Sequence, residues 1–343
     1  MKEGQVALIT GATSNLGVNI AYRLLDSLPD ETNVTLIVTS RTLPRVKDVI
    51  TQIREYYREK YPTRKGELEF DYLLVDFANM VSVLSAIHEL NKKFSKIDYL
   101  FINAALGVYS GIDWVQATKA VFTNILDAVT FPTYKLQRVG VKSTDGMGML
   151  FQANVFGPYY LLYKIRHLLK NGGRVVWISS VMANPKCLSF DDLQLLRSPE
   201  PYEGSKRLMD LLHCGTYKDL LREFDIGSYV VHPGIFTSFS FFEFLNIFTY
   251  YGMMLLFYIA RLMGSEIHNI SGYTAANAPV TAALKGGDQS VKWVSACNRW
   301  GREFTTSAEI ESTGAEDVAA YISDLVIEWD EKLKHQITAT RKP

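Results

Sequence analysis

Val6-Ala7-Leu8-Ile9-Thr10-Gly11-Ala12-Thr13-Ser14-Asn15-Leu16-Gly17 reads as a short buried strand, a glycine turn and the opening of a helix. Leu16, Ile20, Leu24 and Leu28 then recur every fourth residue, the spacing of one helix face. Gly11 permits a tight turn, and Gly17 lets the helix pack close to the sheet. A helix that opens there offers free N–H groups and the positive end of its dipole to a phosphate. Glycine turns without a phosphate are common. Placement directly between the first strand and the first helix is what favours a dinucleotide. Gly11, Ser14, Asn15, Leu16 and Gly17 are therefore candidate cofactor-binding residues.

Outward from this turn, apolar runs of strand length recur at 5–10, 34–39, 69–75, 98–102, 174–178 and 228–232, with a weaker one at 292–296. Most are continuous rather than alternating, as strands covered on both faces should be. Helical stretches separate them, which predicts an α/β fold with a Rossmann-like, doubly wound parallel sheet. The chain reads as one domain over 1–343, with an insertion at 107–148 and an enlarged substrate lid at 239–300.

Ligands of such sheets sit beyond the carboxyl ends of the strands. Thr10-Gly11, Thr39-Ser40-Arg41, Asp76, Asn103, Ser179-Ser180 and His232-Pro233-Gly234 fall there. An acid at the end of the second strand would select NAD by binding its ribose hydroxyl. Here the strand ends Thr39-Ser40-Arg41, and Arg41, helped by Arg45, suits the 2′-phosphate of NADP(H) instead. Two solvated arginines are the plainer alternative. Asp76 is placed to accept from the adenine amine. Downstream, Tyr202 and Lys206 stand four apart on one helix face. An ammonium beside a phenol favours the phenolate, so Lys206 is expected to lower the Tyr202 pKa.

The chain carries 36 basic and 36 acidic side chains in 343 residues, so no electrostatic footprint for nucleic acid appears. Cys187, Cys214 and Cys297 are odd in number and widely spaced, offering no disulfide framework. The six histidines show no metal-ligand spacing, and no metal site is expected. Val6-Ala7-Leu8-Ile9 starts almost at once, so no leader peptide is expected, and the sequons at Asn33 and Asn269 are read as coincidence. No Gly-x-Ser-x-Gly or Gly-x-x-x-x-Gly-Lys supports a hydrolase or a kinase.

Together these residues resemble the short-chain dehydrogenase/reductase family over roughly 4–238. Thr10–Gly17 matches the family's glycine turn, with Asn15 in place of the middle glycine, where an asparagine can hold a left-handed backbone. Asn103-Ala104-Ala105 matches the Asn-Ala-Gly element. Asn154, Ser180, Tyr202 and Lys206 match the catalytic tetrad, with Ser179 as the alternative serine because an insertion at 184–201 separates serine from tyrosine. Pro233-Gly234-Ile235, Thr237 and Ser238 match the element that holds the nicotinamide carboxamide. The resemblance gives Tyr202 and Lys206 contacts with the cofactor as well. It implies that Tyr202 donates the proton, Ser180 bonds the reacting oxygen, Lys206 holds the ribose, and Asn154 anchors a water.

Within the family the chain is similar to the fungal 3-keto-steroid reductases. Thr39–Arg45, Phe151–Tyr160 and Trp177–Ser180 carry that similarity. It implies NADPH-dependent reduction of a 4-methyl 3-ketosterol to its 3β-hydroxysterol in sterol C-4 demethylation. It also implies work at the endoplasmic reticulum membrane, with lipid droplets as a second place. The partners implied are the sterol C-4 methyl oxidase, the C-3 sterol dehydrogenase/decarboxylase and their membrane scaffold. Two rivals stay open: another hydroxysteroid or retinal reductase of the family, and an NADP-binding scaffold.

Seventeen residues without charge lie between Glu243 and Arg261. A spanning helix needs about 20. A soluble lid, a spanning helix and a monotopic helix pair in the membrane face all fit 239–263, and membrane contact is expected. Arg261 and His268 flank it, facing headgroups or solvent. Val318, Ile322, Leu325, Trp329 and Leu333 form one stripe on the last helix, expected to pack on the parent domain.

Overall fold

Continuous Val, Leu and Ile runs tolerate burial on both faces, and they form the centre of the molecule. The computed structural model describes residues 4–237 and 244–336. Its strands are β1 (Gln5–Ile9), β2 (Val34–Ser40), β3 (Leu68–Leu74), β4 (Tyr99–Ile102), β5 (Tyr109–Ile112), β6 (Lys135–Gln137), β7 (Arg174–Ile178), β8 (Gly227–His232), β9 (Ile235–Phe236), β10 (His268–Ile270), β11 (Val291–Cys297) and β12 (Glu303–Glu309). The helices are α1 (Asn15–Ser27), α2 (Leu43–Lys60), α3 (Met80–Lys93), α4 (Trp114–Thr123), α5 (Ile125–Thr130), α6 (Met149–Phe151), α7 (Gly157–Leu169), α8 (Pro201–Phe224), α9 (Ile247–Leu262), α10 (Gly272–Ala275), α11 (Asn277–Lys285) and α12 (Ala315–Leu333). A π-helical turn, Gln152–Phe156, joins α6 to α7.

Eight strands make one sheet in the order β12-β11-β8-β7-β4-β1-β2-β3. All pairings are parallel except β11 with β12. The chain runs outward from β1 to β3, then returns to β4 on the other side of β1. The order therefore reverses between β1 and β4, which is where such sheets open a ligand crevice. Leu16, Ile20 and Leu24 of α1 pack on one face with Val46 and Ile53 of α2 and Ala282 of α11. Val83 of α3, Ile165 of α7 and Leu208 and Leu212 of α8 pack on the other. The apolar stripe of α12 is buried there as well, as its spacing predicted. Gly215 of α8 makes this possible, since a Cβ there would lie 2.5 Å from Ala315 O.

Three features escaped the sequence. β12 reads Glu-Phe-Thr-Thr-Ser-Ala-Glu, a largely exposed edge strand with no apolar run. The hairpin β5–β6, inside the 107–148 insertion, and the pair β9–β10 are too short to leave a period. The weaker apolar run at 292–296, by contrast, does form a strand, and with it the last part of 239–300 enters the main sheet as β11.

Among the described residues no helix is long and apolar enough to cross a membrane. The spanning-helix alternative therefore finds no helix to carry it among the described residues. α9 has 16 residues and starts from a capping box of Asn246 and Thr249. Phe257 and Ala260 of α9 pack on Val129 of α5, whereas Phe248, Tyr251, Leu255, Tyr258 and Leu262 are exposed. The flanking residues differ from expectation. Arg261 is spent on His268 O at 2.9 Å and Asn269 O at 2.7 Å, and His268 is fully buried.

Candidate active site

The crevice begins at the glycine turn. Thr10 Oγ1 donates to Phe101 O at 3.0 Å and accepts from the N–H groups of Asn103 and Ala104, which joins the ends of β1 and β4. Gly11 has φ +62°, and its N–H donates to Thr39 Oγ1 at 2.9 Å. Ser14 caps α1 by accepting from Gly17 N at 3.0 Å. Leu16 buries its side chain, so only its backbone can face a ligand. Asn15 opens α1 with helical backbone, correcting the left-handed expectation. Its amide instead donates to Thr237 O at 2.6 Å, tying the helix to the segment after Gly234.

Two expected cofactor contacts are already engaged as braces. The Asn103 amide donates to Thr10 O and Gly11 O at 2.9 and 3.0 Å, and the Thr39 hydroxyl holds Gly11. Arg41 and Arg45 are exposed beside the end of β2, with no carboxylate in the Thr39-Ser40-Arg41 corner. Asp76 follows β3 and accepts from Ala78 N at 3.0 Å. Ile235 starts β9, and Thr237 N donates to Ile270 O at 3.1 Å. Ser238 lies outside the described residues. The donor set fits an anionic dinucleotide: the N–H groups of the first turn of α1 at one end, two guanidinium groups at the other.

The second half of the site lies on β7 and α8. Tyr202 is partly buried in the first turn of α8, and its ring centroid stands 5.9 Å from that of Tyr109 on β5. Burial, reinforced by the neighbouring Glu203, pushes its phenol well above the ordinary value. The expected lowering by Lys206 does not appear. Lys206 Nζ donates to Ile178 O at 2.7 Å and lies 5.7 Å from the centroid of the Tyr202 ring. Burial pulls Lys206 itself down to about 8, against the opposing pull of Asp210.

The two serines are chemically distinct. Ser179 Oγ donates its proton to Asp210 Oδ1 at 2.6 Å, which leaves no hydrogen for a substrate. Ser180 Oγ accepts from Met182 N at 3.1 Å, so its own O–H remains able to donate. Asn154 lies in the π-helical turn, a frequent mark of functional sites. Its side chain bonds both the N–H and the C=O of Leu106, at 2.7 and 2.9 Å, and donates to Ser205 Oγ at 3.0 Å. Both N–H groups of the Asn154 amide are thereby engaged with protein, while its Oδ1 keeps a second lone pair.

Several residues near the site were not anticipated. Gln137 of β6 accepts from Tyr202 N at 3.1 Å and donates to Glu203 Oε2 at 2.6 Å, seating the hairpin on α8. Lys292 of β11 pairs with Asp210. Asp210 was within reach of the pattern, four residues past Lys206; Gln137 and Lys292 are brought in by tertiary folding alone. Among the described residues no cluster could hold a metal ion.

A family model described as short chain dehydrogenase matches residues 5–190. A 3-keto-steroid reductase of Debaryomyces hansenii is 66% identical over 339 residues, covering 99% of this chain and 98% of that one. A protein of Saccharomyces cerevisiae, also a 3-keto-steroid reductase, is 56% identical over 344 residues and 99% of each chain. L-Sorbose reductase from Gluconobacter frateurii, solved with NADPH and L-sorbose, superposes with a TM-score of 0.54 at 15% identity, over 83% of this chain and 91% of that one. A 7α-hydroxysteroid dehydrogenase, solved with NADH and 7-oxo glycochenodeoxycholic acid, gives 0.52 at 16% identity, over 82% and 88%. The two solved structures share the fold with this chain.

Proposed function

The chain belongs to the short-chain dehydrogenase/reductase family, and from that premise we propose that it is an NADPH-dependent 3-keto-steroid reductase. Its substrate is a 4-methyl 3-ketosterol of sterol C-4 demethylation, and its product the 3β-hydroxysterol. One observation carries this reading: Asn154, Ser180, Tyr202 and Lys206 stand complete in a chain that is alike, from end to end, to 3-keto-steroid reductases.

The cofactor, when bound, supplies a hydride to the ketone carbon. The N–H groups at the start of α1 hold its pyrophosphate, Arg41 and Arg45 its 2′-phosphate, and Thr237 its carboxamide end. Asp76 accepts from the adenine, and Lys206 holds the nicotinamide ribose. As charge develops on the ketone oxygen, Ser180 O–H donates to it and Tyr202 delivers the proton. A raised phenol pKa suits this direction, because the tyrosine stays protonated until the much more basic alkoxide forms. Ser205 donates to Tyr202 O at 2.6 Å and accepts from Asn154, which supports the first turn of α8 at the correct depth.

The same reading puts the enzyme on the cytosolic face of the endoplasmic reticulum membrane and on lipid droplets. There it works beside the methyl oxidase, the decarboxylating dehydrogenase and their scaffold. The exposed apolar stripe of α9 supports the membrane contact, with Phe248 84% and Leu255 61% exposed. Flotation with phospholipid vesicles tests it. Wild type should float and a Phe248→Asp/Leu255→Asp variant of unchanged Tm should not; wild type left at the bottom of the gradient removes the membrane reading.

For the reaction, purified protein with NADPH should reduce 3-ketosteroids and spare 17-ketosteroids and retinal. Preference for a 17-ketone or for retinal would move the assignment to the rival reductase. NADPH binding without turnover of any of them would leave only a scaffold.

A further inference from the structure

Among the described residues, the buried charged side chains are Glu203, Lys206, Arg207, Asp210 and Lys292. All lie on α8 or against it. Arg207 is answered by Glu311 and Glu203 by Gln137. Asp210 and Lys292 form the most enclosed ion pair, 1% and 7% exposed. Apolar residues of similar volume usually stabilise a core as well as such a pair does, because desolvation offsets the attraction. Its location is more telling than its stability.

Asp210 follows Tyr202 and Lys206 at intervals of four, so the three share one face of α8. One carboxylate oxygen accepts from Ser179 Oγ at 2.6 Å, and the other holds the Lys292 ammonium. Lys292 Nζ also stands 3.4 Å from Ser180 O. The pair thus grips both residues at the end of β7, one by its side chain and one by its carbonyl.

We propose that Asp210 and Lys292 are positioning residues of the reductase site, fixing the Ser179–Ser180 corner against α8 so that Ser180 Oγ meets the reacting oxygen while balancing charge beside Lys206. The proposal rests on the ketone-reduction reading above. By consuming the Ser179 proton, Asp210 leaves Ser180 as the hydroxyl donor of the corner. Its negative charge favours the Lys206 ammonium, and the Lys292 charge opposes it. The other groups facing the pair are Arg207 and Cys214 of α8, His232 of β8 and, beyond Arg207, Glu311. Burial holds His232 down at about 3 and Cys214 up at about 11, so neither changes charge between pH 6 and 9. Lys206, drawn to about 8, does.

The test compares Asp210→Asn, Lys292→Met and Ser179→Ala with wild type, following kcat/KM for ketone reduction against pH, and NADPH Kd by fluorescence. Asp210→Asn can still accept from Ser179 but leaves Lys292 unbalanced, so the alkaline limb should move to lower pH. Lys292→Met leaves Asp210 unbalanced, and the limb should move to higher pH. Ser179→Ala keeps the ion pair, so its limb should stay in place while kcat falls roughly tenfold through loss of alignment. At about pH 6, below the limb, where Lys206 carries its charge, NADPH Kd should remain within about threefold in all three variants, because none of the three side chains is assigned to the cofactor. Limbs that move together or not at all, or a Ser179→Ala enzyme with wild-type kcat, overturn the proposal. If a charge variant fails to fold, Ser179→Ala still decides. A wild-type protein without ketone reduction would instead refute the reductase reading.

Discussion

Gly17→Ala is a sharp test of the cofactor turn, because the obstacle to a side chain there is backbone. A Cβ on Gly17 would lie 2.4 Å from Gly11 O and 2.8 Å from Ala12 Cα, where ordinary contact begins at 3.4 Å. Neither atom can rotate away, so α1 must retreat by about 1 Å from the end of β1. Overpacking of this kind costs ~1–3 kcal/mol, partly offset by up to ~1 kcal/mol of helix propensity. The net loss should lower Tm by up to roughly 4 °C in a chain of this size. The same retreat misplaces the N–H groups of the first turn, and NADPH affinity should fall tenfold or more, in line with the ~10²-fold effect of a 1 Å error at a site. Gly252→Ala is the control. It lies in α9, and a Cβ there meets nothing within 4 Å, so Tm should hold or rise slightly. Differential scanning fluorimetry and nicotinamide fluorescence read both quantities. A Gly17→Ala protein with wild-type Tm and NADPH Kd would show that the close approach of α1 is not what builds the site.

Replacing Arg41 and Arg45 by Ala removes charge-assisted contacts worth ~1.5–3 kcal/mol each, so NADPH binding should weaken at least tenfold while NADH binding barely changes. Equal losses for both cofactors would remove the arginines from 2′-phosphate recognition. Ketone reduction should decline as pH rises through about 8, since burial draws Lys206 to that value and the site needs its ammonium; a flat rate to pH 10 would contradict this. Ser180→Ala should cost ~10²–10³ in kcat, the usual consequence of losing one aligned donor to a developing oxyanion. A loss below threefold would move the donor role elsewhere.

Much of this arrangement is legible in the chain, for reasons that differ by element. β1, β2, β4, β7 and β8 announce themselves because strands covered on both faces must be apolar throughout. β12 cannot, because an edge strand with Thr305, Thr306 and Ser307 has no face that must be apolar. Tyr202, Lys206 and the Ser179-Ser180 pair are visible by pattern and by family resemblance. The identity of the donor serine is not, since it depends on Asp210 taking the proton of Ser179. The direction of the Tyr202 shift was misjudged because spacing puts Lys206 on the same face but does not say where its ammonium points. It points to Ile178 O, and burial then dominates. Asparagine at 15 can hold a left-handed backbone in place of a glycine; the structure gives it helical backbone and uses its side chain as a strap to Thr237 instead.

The central claim is that Tyr202 protonates the oxygen of a 3-ketosteroid as hydride arrives. The direct measurement is single-turnover reduction of a 4-methyl 3-ketosterol by wild type and Tyr202→Phe, each preloaded with NADPH at a concentration shown to saturate it. Wild type should form the 3β-alcohol, and the folded variant should bind NADPH normally and form at least ~10²-fold less. A Tyr202→Phe enzyme that turns over at near the wild-type rate would contradict the account.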